Sequence, residues 1–192
     1  SPFESCLPNK YSAIGIGPGI GREEKTAEAL YKTLLELNFT EVPLVLDADA
    51  LNILAEHPQW ADMIPNGTII TPHPLEYRRL VEAGLCLDNV ILVLKGHLTT
   101  ITIPGNPLAK YECPYGNNGM GTAGSGDVLT GIILGLLAQG YPPRDAALLG
   151  VGLHALSGDL AASELGQHSL IASDLIENLH KAFKQVSNEH KP

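Results

Sequence analysis

The glycine-rich segment 119–127, which reads GMGTAGSGD, contains the residues best suited to chemistry in this sequence. Glycines allow the backbone to approach a ligand closely and to direct successive N–H groups towards one point. An apolar run that predicts a helix over 127–139 follows at once, and a helix N-terminus carries about half a positive charge. The segment therefore predicts a binding site for an anion, and phosphate is the best-suited group.

Asp127 ends this segment and is its only acidic residue. An acid in this place would repel a phosphate group, but it can act as the base that removes a proton from a hydroxyl group attacking phosphorus. The alternative is that Asp127 only caps the helix and interacts with its dipole. The segment lacks the Gly-Lys-Ser/Thr ending of a Walker A loop, so it does not predict that type of nucleotide site.

A second glycine run, 15–21, lies between a predicted strand and a predicted helix. Its spacing differs from the Rossmann fingerprint, so a dinucleotide site of that type is not predicted. A tight turn from strand to helix explains the glycines equally well.

Two aspartates, Asp47 and Asp49, follow the buried strand predicted for 44–46. Ligands bind at the carboxyl ends of the strands in open α/β sheets, so both carboxylates are expected at that edge. Beside phosphate groups they could hold Mg²⁺, directly or through water. The alternative is that one aspartate caps the short helix that follows.

His73, Glu76 and Lys95 follow the next two predicted strands. His73 lies between two prolines, which places its imidazole for hydrogen bonding, and Glu76 begins a helix from which it could help to hold the metal. Lys95 suits a polyphosphate as a point charge. The alternatives are a structural histidine and a solvated lysine in a turn.

The elements that must position these residues alternate between short β-rich runs and helical patterns, which predicts an α/β domain with a largely parallel sheet. The strands are predicted at 11–16, 44–46, 68–70 and 90–94, with an antiparallel pair at 99–103 and 110–113 around the turn 104–107. The helices are predicted at 23–37, 50–56, 75–83, 127–139 and 144–165, with a last helix that starts near the N-cap Ser173. A doubly wound sheet gathers the chemistry-bearing segments at one face because each follows a strand or begins a helix.

The composition is that of a globular chain, with 44% hydrophobic and 17% charged residues among 192. The net charge of −9 argues against nucleic acid or an anionic membrane as a partner. No run is expected to span a membrane, since the longest apolar candidate, 128–138, is short. Cys6, Cys86 and Cys113 lack metal-ligand spacing and are expected to be buried or neutral thiols in a reducing cytosol.

Several segments together resemble the ADP/ATP-dependent NAD(P)H-hydrate dehydratases, the C-terminal part of bifunctional NAD(P)H-hydrate repair enzymes in the ribokinase-like superfamily. They are, in the family's order, 16–21 (IGPGIG), 45–52 (VLDADALN), 71–74 (TPHP), 94–96 (LKG), 116–129 (GNNGMGTAGSGDVL) and 172–176 (ASDLI). The resemblance covers nearly the whole chain, and the combination is specific although each piece is short. It implies a ribokinase-like fold, a largely parallel sheet flanked by helices, in a single domain over residues 1–192.

This family repairs NADH or NADPH that has been hydrated at C6 of the nicotinamide ring. ADP or ATP phosphorylates the hydroxyl group, and elimination of phosphate restores the double bond. The resemblance implies that Asp127 is the base and, with Gly19 and His73, a substrate contact. The implied nucleotide contacts are Lys95, Gly96, His97, Leu98, Thr99, Asn117, Gly124, Ser125 and Gly126. Mg²⁺ is expected, with Asp47, Asp49 and Glu76 as its candidate ligands, and so is a homo-oligomer, since the family often forms tetramers.

Two short segments depart from the family's pattern. Gly121, Ala123 and Ser125 stand where the family usually has Ala, Gly and Thr, but all are small, so the fold of the loop should survive. Leu75 stands where the family often has glycine, which weakens the case for a metal contact by the glutamate that follows it.

The family's domain also carries further strands before the segment 16–21, including a Gly-Ser segment at the substrate site. The chain is therefore expected to be the C-terminal portion of a larger domain that lacks its N-terminal strands here. Such a portion would expose apolar surface and self-associate.

Two other functions fit the residues. A small-molecule kinase of the same superfamily, acting on a sugar, thiazole or pyrimidine alcohol, would also use the Asp127 segment, although the segments around His73 and Asp47 favour the dehydratase. A nucleotide-binding fragment without catalysis is the third hypothesis. The choices of ADP or ATP, and of NADH or NADPH, stay open.

Overall fold

A six-stranded sheet forms the centre of the protein, for which a computed structural model describes residues 10–105 and 110–189. The strands lie in the order of the chain: β1 (Ile14–Ile16), β2 (Leu44–Leu46), β3 (Ile69–Ile70), β4 (Ile91–Leu94), β5 (Thr100–Thr102) and β6 (Lys110–Glu112). The first four strands pair in parallel, whereas β5 and β6 pair antiparallel. The predicted sheet and its antiparallel pair are confirmed; Asn106 and Pro107 of the predicted turn lie outside the described residues.

Helices flank the sheet on both faces. They are α1 (Glu24–Leu37), α2 (Ala48–Glu56), α3 (Pro74–Glu82), α4 (Ser125–Ala138), α5 (Pro143–Leu165) and α6 (Ala172–Glu189). Short 3₁₀ helices, which the sequence patterns did not predict, occur at Pro58–Met63, Asn118–Met120 and Gln167–Ser169.

Strand β2 shows why the sheet is apolar on both faces. Successive side chains of a strand point to opposite faces, so Leu44 and Leu46 join the core cluster with α1, α2 and α3. Val45 joins the other cluster, which α4, α5 and α6 complete. Both faces are covered by helices, so the strand is a continuous apolar run, as is usual for parallel sheets.

Several boundaries differ from the sequence-based prediction. Strand β1 begins at Ile14 rather than at residue 11, because Pro43, the residue before its partner strand, has no N–H to extend the ladder. Helix α4 begins at Ser125, after Gly124 in the left-handed conformation with φ 83°, so Asp127 is the third residue of the helix. Ser173 lies inside α6 and is not its N-cap.

Helix α5 corrects the expectation that no run is long enough to span a membrane. It has 23 residues, and an 18-residue stretch of it has a mean hydropathy of 1.3, which is sufficient by length and composition. Half of the apolar stretch is buried inside the protein, where the helix packs against α4 and α6. This is the position of a core helix in an α/β layer.

The cysteines differ in exposure. Cys86 is an exposed free thiol and Cys113 a buried one, and Cys6 lies outside the described residues. Burial raises the pKa of Cys113 above its ordinary value, so this thiol is neutral at physiological pH.

Candidate functional site

A cavity of about 590 Å³ opens beyond the carboxyl ends of β3 and β4, against the N-terminus of α4. We call it the Lys95 cavity. The residues singled out in the sequence that line it are His73, Lys95, Gly96, His97, Thr99, Asn117, Ser125 and Gly126. This volume is typical of sites for small molecules and cofactors. The structure thus brings together three segments that are far apart in the chain.

Positive charge lies at the inner wall of the Lys95 cavity. The N-terminus of α4 opens there through Ser125 and Gly126, where the N–H groups of the first turn have no acceptor within the helix, although that of Ser125 donates to the carbonyl of Thr122 at 3.3 Å. A Cβ atom added to Gly126 would lie 3.1 Å from Nζ of Lys95, so the ammonium group is next to the first turn. A helix terminus and a lysine at one point make a site for an anion such as phosphate.

Lys95 is held by a buried carboxylate. Its Nζ lies 2.8 Å from Oδ1 of Asp47, whose side chain is 1% exposed, whereas that of Lys95 is 21% exposed. Thr130 of α4 donates a hydrogen bond of 2.7 Å to Oδ2 of Asp47. The hydroxyl oxygens of Thr130 and Thr71 lie 3.3 Å apart, and the Thr71 hydroxyl also lies 3.5 Å from the carbonyl oxygen of Leu46. These contacts connect β2, β3, β4 and α4 behind the cavity.

His73 begins α3 and lines the cavity on the opposite side. Its Nδ1 accepts hydrogen bonds from the backbone N–H groups of Leu75 and Glu76, and Oε2 of Glu76 accepts one from the N–H of His73. This reciprocal arrangement is a capping box. Because Nδ1 is an acceptor, Nε2 is the nitrogen that carries a proton, and it lies 3.5 Å from Oε1 of Glu76.

The loop before α4 is fixed by Asp159 of α5. One carboxylate oxygen accepts from the N–H of Gly116 and the other from the side-chain amide of Asn117, both at 2.9 Å. Asn117 in turn caps the 3₁₀ helix through the N–H of Gly119. The loop is therefore a rigid wall of the cavity.

His154, in the middle of α5, completes the wall beneath the loop. Its Nε2 lies 2.9 Å from the carbonyl oxygen of Ser125 and 3.2 Å from the Ser125 hydroxyl. A carbonyl can only accept, so Nε2 carries a proton and donates. Burial lowers the pKa of His154 to about 4, the hydrogen bond to Ser125 opposes this shift, and Lys95 adds to it. His154 is therefore neutral at physiological pH.

Asp127 does not line the Lys95 cavity. Its side chain is exposed, not turned into the core, and it lies at one end of a groove of about 480 Å³ between α4 and α6. We call this the α4–α6 groove; its other lining residues include Gly131, Gly135, Ile176 and Phe183. The adjacent residues Gly126 and Asp127 thus face two different spaces across the first turn of α4.

Three other predicted contacts lie outside the Lys95 cavity. Gly19 is exposed in the loop after β1, where its φ of 68° is of the kind that favours glycine. Leu98 is exposed. Gly124 is the N-cap of α4 and shapes the loop rather than lining the cavity.

The three carboxylates proposed for Mg²⁺ do not form a metal-binding group. Asp47 bonds Lys95 and Thr130 and caps α2 through the N–H of Ala48 at 2.8 Å, which confirms the alternative of a helix cap. Asp49 accepts from the N–H of Gly21, and Glu76 caps α3. Within 10–105 and 110–189, no group of three or more His, Cys, Asp or Glu side chains is arranged to hold a metal ion.

Three residues of the site were missed in the sequence: Thr130, His154 and Asp159. Thr130 had a recognisable signal, because it is the only polar side chain in the apolar run 128–138. His154 and Asp159 had none, since single polar residues in a long helix usually face solvent or satisfy each other.

Comparison with known proteins shows the family of the chain. The family model described as NAD(P)H-hydrate dehydratase matches residues 5–181. The bifunctional NAD(P)H-hydrate repair enzyme of Moorella thermoacetica is 40% identical over 191 residues, which cover 92% of this chain and 35% of that enzyme. The chain therefore spans about a third of the length of this relative.

Two solved structures share the fold. The ADP/ATP-dependent NAD(P)H-hydrate dehydratase of Bacillus subtilis, co-crystallised with ATP and Mg²⁺ and soaked with CoA, superposes with a TM-score of 0.73 at 28% identity. The match covers 91% of this chain and 66% of that one. A hydroxyethylthiazole kinase of Pyrococcus horikoshii has a TM-score of 0.67 at 16% identity over 91% of this chain and 73% of the kinase, which shows a common fold alone.

The family match extends over most of the chain, and the fold is ribokinase-like as the motifs predicted. Three of the segments that carried the resemblance, 71–74, 94–96 and 116–129, contribute residues to the Lys95 cavity, and the last of them includes the first turn of α4. The chain belongs to the NAD(P)H-hydrate dehydratase family.

Proposed function

We propose that this chain is the larger part of a ribokinase-like domain that dehydrates hydrated NADH or NADPH with ADP or ATP. The family match and the relatives named above support this activity. The observation that carries the proposal is the first turn of α4. Gly126 lies beside Lys95 in one cavity, and Asp127, the next residue, lies at the mouth of the α4–α6 groove.

The two sides of this turn suit two reactants. The nucleotide would occupy the Lys95 cavity with its terminal phosphoryl group at the N-terminus of α4, where Lys95 and the backbone N–H groups stabilise negative charge. The C6 hydroxyl group of the hydrated nicotinamide would approach from the side of Asp127. Asp127 would take the hydroxyl proton as the C6 oxygen attacks phosphorus and the bond to the leaving nucleotide breaks.

Elimination would complete the reaction. The C6–O bond of the phosphorylated intermediate breaks, phosphate leaves, and loss of a proton from the neighbouring ring carbon restores the double bond. Positioning and charge stabilisation account for most catalysis of phosphoryl transfer, so this small set of residues is adequate for the first step.

Mg²⁺ is proposed for this chain only as a companion of the nucleotide, on the strength of the relative co-crystallised with ATP and Mg²⁺. Asp47 and Glu76 are occupied by hydrogen bonds within the protein, so they do not fit as its ligands. Mg²⁺ usually keeps several waters and binds through substrate phosphates with few carboxylates.

The partners and the location are proposals of the same kind. The negative net charge supports the absence of a nucleic acid or anionic membrane partner. The buried position of α5 supports a core helix rather than a membrane span. A cytoplasmic location and a homo-oligomer, such as a tetramer, complete the proposal.

The test uses the full-length protein and hydrated NADH. With ADP or ATP, the wild type should restore the absorbance of NADH, and without nucleotide it should not. Asp127→Asn should lower kcat at least about 100-fold, the usual contribution of a general base, while ADP still binds. Calorimetric titration with ADP measures that binding.

Asp145→Asn is the matched control, because Asp145 is an exposed acid in the first turn of α5 and should leave the rate unchanged. A wild type that restores no NADH with either nucleotide would refute the dehydratase. A stable phosphorylated product, detected by mass spectrometry, would identify a kinase instead.

A further inference from the structure

We propose that Asp47 is a positioning residue that holds the ammonium group of Lys95 at the N-terminus of α4, where both meet a phosphate group of the nucleotide. This inference rests on the proposed function, since it requires a nucleotide in the Lys95 cavity. It assigns Asp47 a role other than metal binding. Asp47 does not itself line the cavity, so it acts through Lys95.

Both oxygens of the Asp47 carboxylate are fixed by the protein. Oδ1 accepts from the N–H of Ala48 and from Lys95, each at 2.8 Å, and Oδ2 accepts from Thr130 at 2.7 Å. Its backbone is tied to β1, because the N–H of Asp47 donates to the carbonyl of Ile16 at 3.0 Å. A carboxylate with this many partners has one orientation, and so has the ammonium group bound to it.

The backbone next to Asp47 is strained, and this conformation helps to fix the orientation of the Asp47 carboxylate. Ala48 has φ 47°, and it is the only residue other than glycine with a positive φ in the part of the chain that the structure describes. Residues with a Cβ rarely adopt this conformation, and where they do the surroundings impose it, often at functional sites. At Gly17, a Cβ would lie 1.7 Å from the carbonyl oxygen of Asp47, so β1 packs directly against this turn.

Because the Asp47 carboxylate is fixed, the Lys95 side chain that binds it is fixed as well. Its backbone N–H donates to the carbonyl of Pro72 at 2.9 Å, and its Nζ is held at Asp47 beside Gly126. A free lysine has four rotatable bonds and loses entropy on binding a phosphate. Here the side chain is ordered before the ligand arrives, which is the general route to higher affinity by preorganisation.

A purely structural ion pair is the competing explanation. Buried ion pairs contribute little to stability because desolvation opposes their attraction. In this pair, however, the carboxylate is buried and the ammonium lines an open cavity. That asymmetry favours a function for the exposed partner.

The test is a double-mutant cycle on the full-length protein, with Kd for ADP and for adenosine measured by calorimetry. Asp47→Asn keeps the size of the side chain but removes the charge that holds Lys95, and Lys95→Met removes the ammonium. Each single change should raise Kd for ADP about tenfold, and the double change should raise it no further, as for residues that act as one unit. Kd for adenosine, which has no phosphate, should not change.

Thr130→Val provides a second measurement if Asp47→Asn proves unstable. It removes the hydrogen bond to Oδ2 and the contact with the Thr71 hydroxyl but leaves both charges in place. It should raise Kd for ADP by a smaller factor, about threefold, at an unchanged Kd for adenosine. Asp62→Asn is the control, because it removes an equal charge from an exposed side chain outside the Lys95 cavity.

The outcomes separate this inference from the proposed function. If the wild type binds ADP and Asp47→Asn binds it equally well, or the two single effects add, Asp47 does not position Lys95. An equal loss of affinity for ADP and adenosine would show a structural role only. A wild type that binds neither ADP nor ATP would overturn both proposals.

Discussion

His154 is a histidine that the protein keeps uncharged. Its ring is partly buried and donates from Nε2 to the carbonyl of Ser125, at the start of the helix that would face the phosphate. A second positive charge beside Lys95 is avoided, and the first turn of α4 is held from behind. His154 thus supports the first turn of α4 through packing and one donated hydrogen bond rather than through charge.

Stability should fall in acid because of this residue. The pKa of His154 is lowered from 6.5 to about 4, first by burial, so between these values the unfolded chain binds the proton and the folded one does not. The contribution is therefore complete above pH 6.5 and is lost as pH falls towards 4, to a maximum of about 3 kcal/mol. Urea unfolding of the wild type at pH 7 and pH 4.5 measures the loss.

The variant His154→Gln isolates this effect from the titration of the carboxylates. Glutamine can donate to the Ser125 carbonyl but does not titrate, so its stability should depend less on pH than that of the wild type. Equal pH dependence in the two proteins would contradict the assignment.

At the scale of elements, the turn between β1 and α1 is fixed by contact with the turn after β2. Gly17 has φ 143°, and a Cβ at this position would overlap the carbonyl oxygen of Asp47. Two loops that follow neighbouring parallel strands are thereby packed backbone to backbone. The orientation of Asp47, and with it that of Lys95, depends on this packing.

Gly17→Ala should destabilise the protein by about 3 kcal/mol or more, because the backbone conformation and the close approach both exclude a Cβ. Gly19→Ala is the matched control in the same loop. It has a positive φ but open space around it, so its cost should be about 1 kcal/mol. Urea unfolding curves give both values, and equal costs for the two changes would refute the steric argument.

The elements that position the site were predictable to the extent that they are periodic. Continuous apolar runs such as 44–46 predicted buried parallel strands, and the residues after them, His73 and Lys95, were placed at one cavity by topology alone. The direction of Asp127 was not predictable, because it depends on where α4 begins. The start at Ser125 rather than at residue 127 directs the carboxylate to the α4–α6 groove.

The hydrogen-bond partners of the Asp47 side chain were not predictable either. A carboxylate after a strand suggests a metal, a cap or an ion pair with equal justification, and the choice is made by partners 48 and 83 residues away, Lys95 and Thr130. Long-range side-chain pairing leaves no periodic pattern in a single sequence.

At the scale of the whole molecule, β1 is one of the two edge strands of the sheet within residues 10–105 and 110–189. A groove of about 890 Å³ runs along β1 and α1, and its lining includes Ala13, Ile16 and Ala29. An open strand edge beside apolar surface is a site for association. The part of the B. subtilis relative that matches this chain makes up 66% of the length of that relative.

The 192-residue chain by itself should therefore self-associate as its concentration rises. Ala29→Glu places a charge in the groove on a helix that tolerates glutamate, and it should lower the association constant about tenfold. Val81→Glu is the control, since Val81 is 53% exposed on α3 and lies outside the groove. Sedimentation velocity measures the association, and equal behaviour of the two variants would contradict a role for this edge.

The division made by the first turn of α4 has a consequence for how such proteins diversify. Residues 126 and 127 face separate spaces. Under the proposed function, the α4–α6 groove could therefore change to fit a new acceptor molecule while the Lys95 cavity keeps the same phosphate donor. The residues at the N-terminus of α4 would then stay the same, while the residues that line the α4–α6 groove would change with the acceptor. One scaffold can in this way be inherited by enzymes with unlike substrates.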